Sequence, residues 1–549
     1  MTIKAIYRSI LSSLVFLALF CLVATAQTSP PPLPSQATPP AQTTPPAKPT
    51  PPVPATPTMG PDQKAYTEAM ALKDPDKKIE ALEKFMNDYP DSPGISLSHR
   101  GIFDTLVKSH PDQIERIREA ADRAISKASS EAMKASYYNA FGTQLFDAGI
   151  LLDDAEKYLS KGIELNEAQA RRSRAPYQAT LGRIYIKQGK LSEAGKYLQE
   201  ALAANPQLSA ASLGMAELYE KRGDAGKALT FYVNAAATSK MPTAARQRLE
   251  ALYAKSHRNS LDGLEGLLDA KYREINPPPF VVERYQPAER RTDRVVLAEV
   301  FTGSGCPPCV AADLAADLAM ERYGRGLTVL MYHEHIPQPD PMTTAQTTAR
   351  FRYYKGTGVP TLVIDGERAP GGGGARDATK SVYGRITKAI EKKLEAASRA
   401  QLKLDVLLDG GIVRANAVVS QVTSDAPDLK LLIVLVEEML RYTGENGVRF
   451  HPMVVRSIAG TDSGSQGLNI TSKDSQTFAW DFNLDSISAG IKKNLDDYEN
   501  GRTDGYKFNE KKHQIDPKGL VVVAFVQEEN TKAVLQSIMV RLNSKAIPQ

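Results

Sequence analysis

The sequence predicts a multidomain chain whose class changes along its length: an α-helical array, then a small α/β domain, then an antiparallel β-sandwich. Three observations predict this. Tyr185/Tyr219, Gly189/Gly223 and Ala194/Ala228 recur 34 residues apart within helically patterned sequence. From Val295 to about Ala400, strand-like and helix-like segments alternate. Beyond that point, apolar-alternating runs separated by turn residues continue almost to the end.

At 549 residues the chain is too long for one hydrophobic core, and about three or four domains are expected. A balance of 42% hydrophobic and 24% charged residues is that of a globular protein. The net charge of +5 is small and no Lys/Arg block is present, so nucleic acid is not an expected partner. Lys4 and Arg8 precede the apolar stretch SILSSLVFLALFCLVA, and Ala24-Thr25-Ala26 offers a cleavage site before Gln27. Residues 1–26 therefore read as a signal peptide, with an uncleaved anchor as the alternative. Phe20 before Cys21 disfavours lipid attachment there. No later apolar run approaches the roughly 18 residues that span a bilayer. The mature chain is expected to be exported, periplasmic or cell-envelope associated, without a membrane span. Residues 27–61 are too proline-rich to pack a core and read as an extended polyproline II spacer or an unstructured tail.

Residues 62–256 are helical and repetitive. LGRIYIKQGKLSEAGKYLQEALAANP (Leu181–Pro206) aligns with LGMAELYEKRGDAGKALTFYVNAAA (Leu213–Ala237). A looser copy, AFGTQLFDAGILLDDAEKYLSKGIELN, comes before an insertion holding Ala170-Arg171-Arg172-Ser173-Arg174, and AYTEAMALKDPDKKIEALEKFMNDYPDSP opens the array. The segment resembles the tetratricopeptide repeat, a helix-turn-helix unit whose small residues let paired helices approach closely. That resemblance implies a concave surface for a peptide or protein ligand; a packing scaffold is the alternative. Residues 257–292 hold one more helix, Leu261–Lys271, and an irregular connector, INPPPFVVERYQPAERRTDR.

Within residues 293–400, VVLAEVF, LTVLMYH and PTLVIDG read as strands. CVAADLAADLAMERYG, TTAQTTARFRYYKG and ATKSVYGRITKAIEKKLEAASRA read as helices. In residues 401–549, QLKLDVLLDGGIVRANAVVSQV is a hairpin turning at Asp409-Gly410-Gly411, and LKLLIVLVEEML, SQTFAWDFNL and GLVVVAFVQEENTKAVLQSIMVRL continue the strand pattern.

After signal removal Cys306 and Cys309 are the only cysteines. A bridge between them closes too small a loop to stabilise a fold much, which leaves a structural staple poorly motivated. A strand running into C-x-x-C at a helix start has chemical logic: Cys306, at the N-cap or first turn, gains thiolate character from free N–H groups and the helix dipole. Pro307 and Pro308 suit that first turn, and Cys309 follows one turn along. The second motif is Gly358-Val359-Pro360-Thr361, directly before the strand LVIDG.

With both motifs in this order, Val295–Ala400 resembles the thioredoxin fold. The resemblance implies a thiol-disulfide oxidoreductase needing no cofactor and acting on protein thiols and disulfides. Cys306 would be the nucleophile and Cys309 the resolving thiol, the two forming a redox disulfide. Pro360 would be cis, with Val359, Pro360 and Thr361 lying at the substrate. Two departures stand out: Gly305 replaces the usual tryptophan, and Val300 replaces the buried acid. Glu299 beside it becomes a candidate proton relay if the register shifts, and otherwise a solvent-facing strand residue. A zinc set of both cysteines with His333 and His335 is the metal alternative, but the H-x-H spacing is unusual and leaves the proline motif unexplained, so no metal is expected. The other histidines read as surface or packing residues. The rival to an enzyme is a binding, assembly or redox-sensing protein of the cell envelope. Whether exchange would reduce, oxidise or isomerise stays open.

Overall fold

The computed structural model describes residues 60–166, 171–287, 293–370, 372–460 and 467–542. The expected signal peptide and nearly all of the proline-rich segment lie outside the described residues, as does Ala170 of the insertion. Among the described residues the first half is helical: α1 (Pro61–Ala71), α2 (Pro75–Asp88), α3 (Gly94–Ser109), α4 (Ile114–Ser126), α5 (Glu131–Ala148), α6 (Leu152–Leu165), α7 (Arg171–Lys187), α8 (Leu191–Ala204), α9 (Ser209–Lys221), α10 (Ala225–Thr238), α11 (Thr243–Ser256) and α12 (Leu264–Ile275).

The recurrent residues have two distinct physical causes. Gly189 and Gly223 follow α7 and α9 at φ +78° and +77°, with no atom near where a Cβ would sit, so the left-handed backbone alone selects glycine. Gly182 and Gly214 are selected by space instead. A Cβ at either would fall 2.7 and 2.5 Å from carbons of Leu198, which wedges between α7 and α9. Ala194 and Ala228 are fully buried. Arg183 on α7 donates to both oxygens of Glu217 on α9 at 3.0 and 2.8 Å, a fork-to-carboxylate pair that repeats the spacing of the array. The helix expected at Leu261–Lys271 is α12. Its Leu264 and Leu268 share a core with Tyr232 and Leu249 of α10 and α11, so the helical array runs on to Ile275.

Then follow β1 (Val296–Thr302), α13 (Cys309–Tyr323), β2 (Leu327–His333), α14 (Ala345–Tyr353), β3 (Thr361–Ile364), β4 (Glu367–Arg368) and α15 (Thr379–Leu394). The last part holds β5 (Gln401–Asp409), β6 (Ile412–Ser420), β7 (Leu429–Arg441), β8 (Phe450–Ile458), β9 (Leu468–Asn469), β10 (Ser475–Asn483), α16 (Leu484–Asn500), β11 (Leu520–Glu528) and β12 (Val534–Arg541).

A mixed sheet runs β12-β11-β7-β8-β2-β1-β3-β4, and a smaller sheet runs β10-β6-β5. The expected C-terminal sandwich is thus corrected in one respect. Two β layers do pack together, but one of them is an extension of the α/β sheet, joined where Met331 of β2 pairs in parallel with Val454 of β8. The reason lies in β7, whose alternate residues serve two cores. Leu432, Val434 and Val436 face the core shared with α13 and α15, while Leu431, Ile433 and Leu435 face the smaller sheet. Its near-continuous apolar run is that of a strand buried on both faces. The hairpin turn at Asp409–Gly411 forms as expected, with Gly410 and Gly411 at φ +55° and +82°. The helix α16 was not expected; it starts at Asn483, whose side chain accepts from the Ser486 N–H at 2.8 Å. No described helix is long and apolar enough to cross a membrane.

Candidate redox site

β1 lies between β2 and β3, with Phe301 paired to Tyr332 on one side and to Thr361 on the other. That register brings the end of β1, which leads to the cysteines, level with Pro360, which leads into β3. The Val359–Pro360 peptide is cis, and Thr361 Oγ1 donates to the Gly358 carbonyl at 2.7 Å. Cys306 and Cys309 form a disulfide with Cα atoms 5.3 Å apart. Cys306 Sγ lies 3.8 Å from the Val359 carbonyl oxygen. The two motifs read separately in the sequence therefore meet at one point.

The helix begins where expected, but Cys306 lies outside it rather than at its N-cap or first turn. α13 starts at Cys309, and Cys306 sits in the preceding turn with its N–H on the Gly303 carbonyl at 3.0 Å. The Cys309 N–H goes to the Cys306 carbonyl at 3.1 Å. A glycine loop caps the helix: Gly374 donates to the Pro308 carbonyl at 2.7 Å and accepts from the Ala311 N–H at 3.1 Å.

Cys306 and Cys309 are only 1% and 0% exposed, while Pro307 and Pro308 face outward. Two segments account for part of this enclosure. The first is the loop after β2. A Cβ on Gly303 would fall 2.5 Å from the Ile336 carbonyl oxygen, and one on Gly305 would fall 2.6 Å from Gln338 Cβ. The position where tryptophan was expected is therefore filled by a neighbouring loop. The second is the tip of the β7–β8 hairpin. Asn446 accepts no part of this contact; it donates through Nδ2 to the Gly303 and Cys306 carbonyls at 3.2 and 3.4 Å, and through its N–H to Ser304 at 3.1 Å.

The same tip is tied to the helical array. The Lys240 N–H donates to the Gly444 carbonyl at 3.2 Å, and Lys240 Nζ pairs with Glu445 at 2.7 Å. Arg449, nearly buried, pairs with Asp269 and Glu265 of α12 at 2.8 and 2.6 Å and donates to Thr443 at 3.0 Å. The only sequence signal for this role was the turn-forming GENG; nothing in it pointed at the cysteines.

Glu299 is neither solvent-facing nor free to relay protons. It is buried, with Oε1 accepting from Arg350 Nε at 2.7 Å and Tyr332 at 2.9 Å, and Oε2 accepting from Arg350 Nη2 at 3.0 Å and Tyr354 at 2.6 Å. Gln527 of β11 joins this network, so the pair locks the α/β layer to the strands beyond it.

The acid placed near the cysteines is Asp313, one turn beyond Cys309 on α13. It is buried, and Thr302 donates to its Oδ2 at 3.0 Å, while Oδ1 has no hydrogen-bond partner. Burial pushes its carboxyl up to about 7, and Asp317, a further turn on, to about 8. His333 and His335 do not join the sulfurs. His333 Nδ1 lies 2.9 Å from Asp340 Oδ2, and His335 Nδ1 accepts from the Asp340 N–H at 3.0 Å. Burial works to raise Asp340, but His333 and the N–H groups of Ser304 and Met342 outweigh it and hold the carboxyl well below the usual range. Among the described residues no group of three or more His, Cys, Asp or Glu side chains is placed to hold a metal.

Comparison with known proteins bears on the array. Residues 185–255 match the family model of the tetratricopeptide repeat. This stretch of the helical array carries tetratricopeptide repeats. Similar solved structures include HBP35 of Porphyromonas gingivalis, at 17% identity and TM-score 0.34 over 48% of this chain and 80% of that one. PilF of Pseudomonas aeruginosa is similar at 16% identity and TM-score 0.29, over 39% of this chain and 94% of that one. YrrB, described as a TPR protein with an unusual peptide-binding site, is similar at 16% identity and TM-score 0.24, over 31% and 80%. No curated protein sequence matches the chain.

Proposed function

We propose that the region from Val295 to Ala400 is a thioredoxin-like domain and that the protein is an exported thiol-disulfide oxidoreductase of the cell envelope. Its repeat array would bind a peptide or protein partner. The observation that carries the reading is the Cys306–Cys309 disulfide lying against the cis Val359–Pro360 peptide, with Cys306 Sγ 3.8 Å from the Val359 carbonyl.

In the reducing direction, the Cys306 thiolate attacks a substrate disulfide. A bond forms between Cys306 Sγ and one substrate sulfur, and the other substrate sulfur leaves as thiolate. Cys309 thiolate then attacks Cys306 Sγ, re-forming the intramolecular disulfide and releasing the second substrate thiolate. Two electrons pass to the substrate, and a partner dithiol must restore the pair; the reverse sequence oxidises a substrate dithiol. The backbone of Val359 is the docking position, with Thr361 fixing its turn. Asp313, buried on the face of α13 that carries Cys309, is the group suited to take the Cys309 proton, since its carboxyl is poised near neutral pH.

Trapping tests this. Reduced Cys309→Ala incubated with insulin should accumulate an adduct that dithiothreitol releases, because no second thiol resolves it. Cys306→Ser/Cys309→Ala should form none. Failure of the first variant to form an adduct while its Cys306 remains alkylatable would reject the reading.

A further inference from the structure

The turn that carries Cys306 is held by an acid from the loop after β2. Asp340 is fully buried; its Oδ2 accepts from the Ser304 N–H at 2.6 Å and lies 2.9 Å from His333 Nδ1. Its Oδ1 accepts from the Met342 N–H at 2.8 Å, and its own N–H donates to His335 Nδ1. The loop is fixed in turn to the elements behind it. His335 stacks on Tyr498 of α16 with ring centroids 3.7 Å apart, and the Lys512 N–H donates to the Pro341 carbonyl at 3.2 Å. The Ser304 peptide is therefore held on one side by Asp340 and on the other by the Asn446 N–H, while the Cys306 N–H closes the turn on Gly303. Of these bonds the one to Asp340 is charge-assisted and fully desolvated, which makes it the strongest tie on the turn. Loop and turn also meet backbone to backbone, since a Cβ on Gly303 would fall 2.5 Å from the Ile336 carbonyl oxygen.

We propose that Asp340 is a positioning residue for thiol exchange: by fixing the Ser304 peptide it keeps Cys306 placed for closure with Cys309, and so biases the pair toward giving up electrons. The inference rests on the oxidoreductase reading above. When the dithiol closes, a bond forms between Cys306 Sγ and Cys309 Sγ and both thiol protons leave. Two electrons pass to an acceptor disulfide, which breaks into two thiols. A turn already in place loses less conformational freedom at that closure, so the disulfide is favoured over the dithiol. The buried charge acts in the same sense, because an anion at the turn opposes the thiolate that would stabilise the dithiol.

The test is the equilibrium constant for disulfide formation against glutathione, measured on the full chain by quenching, alkylation and mass measurement. In Asp340→Asn it should fall about tenfold, a shift of about 30 mV toward the oxidising side. Because that change also takes a buried charge out of the loop, a second variant disturbs the same contact from the turn. Gly303→Ala pushes the turn off the Ile336 carbonyl and should lower the constant in the same direction. Glu299→Gln is the control for stability alone: it breaks the pair with Arg350, away from the turn, and should titrate as the parent does. A folded Asp340→Asn or Gly303→Ala with the parent's constant, or a Glu299→Gln shifted as far as Asp340→Asn, would overturn the proposal. Failure of the oxidoreductase reading has a separate signature, a parent protein that does not turn over insulin. Where glutathione does not open the parent disulfide, the same constants are read against dithiothreitol, so the role of Asp340 is decided in either case.

Discussion

Asn446 and Cys306 lie 140 residues apart in the chain, and the Asn446 side-chain amide donates to the Cys306 carbonyl at 3.4 Å. The hairpin tip that carries Asn446 is held on its far side by Lys240 and Arg449. The repeat array and the disulfide are therefore connected through one short segment, and release of that segment should expose the cysteines.

Asn446→Ala removes the side-chain donor to the cysteine turn, and Lys240→Ala removes the ion pair with Glu445, one of the tip's ties to the array. Each should speed reduction of the Cys306–Cys309 disulfide by dithiothreitol, on the order of fivefold for one lost hydrogen bond of ~1 kcal/mol. Alkylation followed by mass measurement at timed quenches reads the rate. Unchanged rates in both variants would show that the tip does not control access.

Asp313 gives a pH signature. Burial raises its folded value from 3.8 to about 7, so the folded chain holds a proton that the unfolded chain releases in that interval. Stability from this group falls as pH rises from about 4 to about 7, by up to about 1.4 kcal/mol per pH unit, and is level above. Urea unfolding of Asp313→Asn should show a flatter decline across that window than the unmodified protein. Glu334, raised to about 8 by burial, contributes equally to the two proteins and cancels in the difference, whereas Asp317, raised to about 8 by burial and by the Asp313 charge, is raised less in Asp313→Asn and flattens the decline further. Identical slopes would contradict the burial of Asp313.

Glu299→Gln should damage stability. It leaves Arg350 without its buried counter-charge, a loss of roughly 3–5 kcal/mol. A thermal melt measures it. A melting temperature within a degree or two of the parent would mean that the Glu299–Arg350 pair is not formed.

Gly182→Val tests the packing that underlies the repeat. A Cβ at this position meets Leu198 Cγ at 2.7 Å and the Ala194 carbonyl oxygen at 3.2 Å, so the side chain overpacks the α7–α8 contact by about 1–3 kcal/mol. Loss of helical circular dichroism at lower temperature is the expected readout.

The repeat array and the α/β element order were legible in the sequence because both rest on local signals. The 34-residue recurrence reports the αL turns at Gly189 and Gly223 and the close approach of Gly182 and Gly214 to Leu198, each set by neighbouring chain. The juxtaposition of Cys306 with Pro360 was legible only through a resemblance, since strand order decides it. Three features escaped for one reason: partners distant in sequence define them. Met331 pairs with Val454 to merge the two expected domains into one sheet, Asn446 reaches the cysteine turn, and Arg350 claims Glu299. No periodicity or spacing encodes such pairings. Asp313 did carry a signal, an acid one turn after the second cysteine with Asp317 a further turn along the same face, and a helical projection would have found it.

The central claim, that Cys306 and Cys309 exchange two electrons with protein thiols, is tested most directly by equilibrating the purified protein across a glutathione redox series and alkylating before mass measurement. The account predicts a reversible transition in which two alkyl groups appear together, and catalysis of insulin-disulfide reduction that Cys306→Ser abolishes. A disulfide that never opens across the series, or a Cys306→Ser variant as active as the parent, would contradict it.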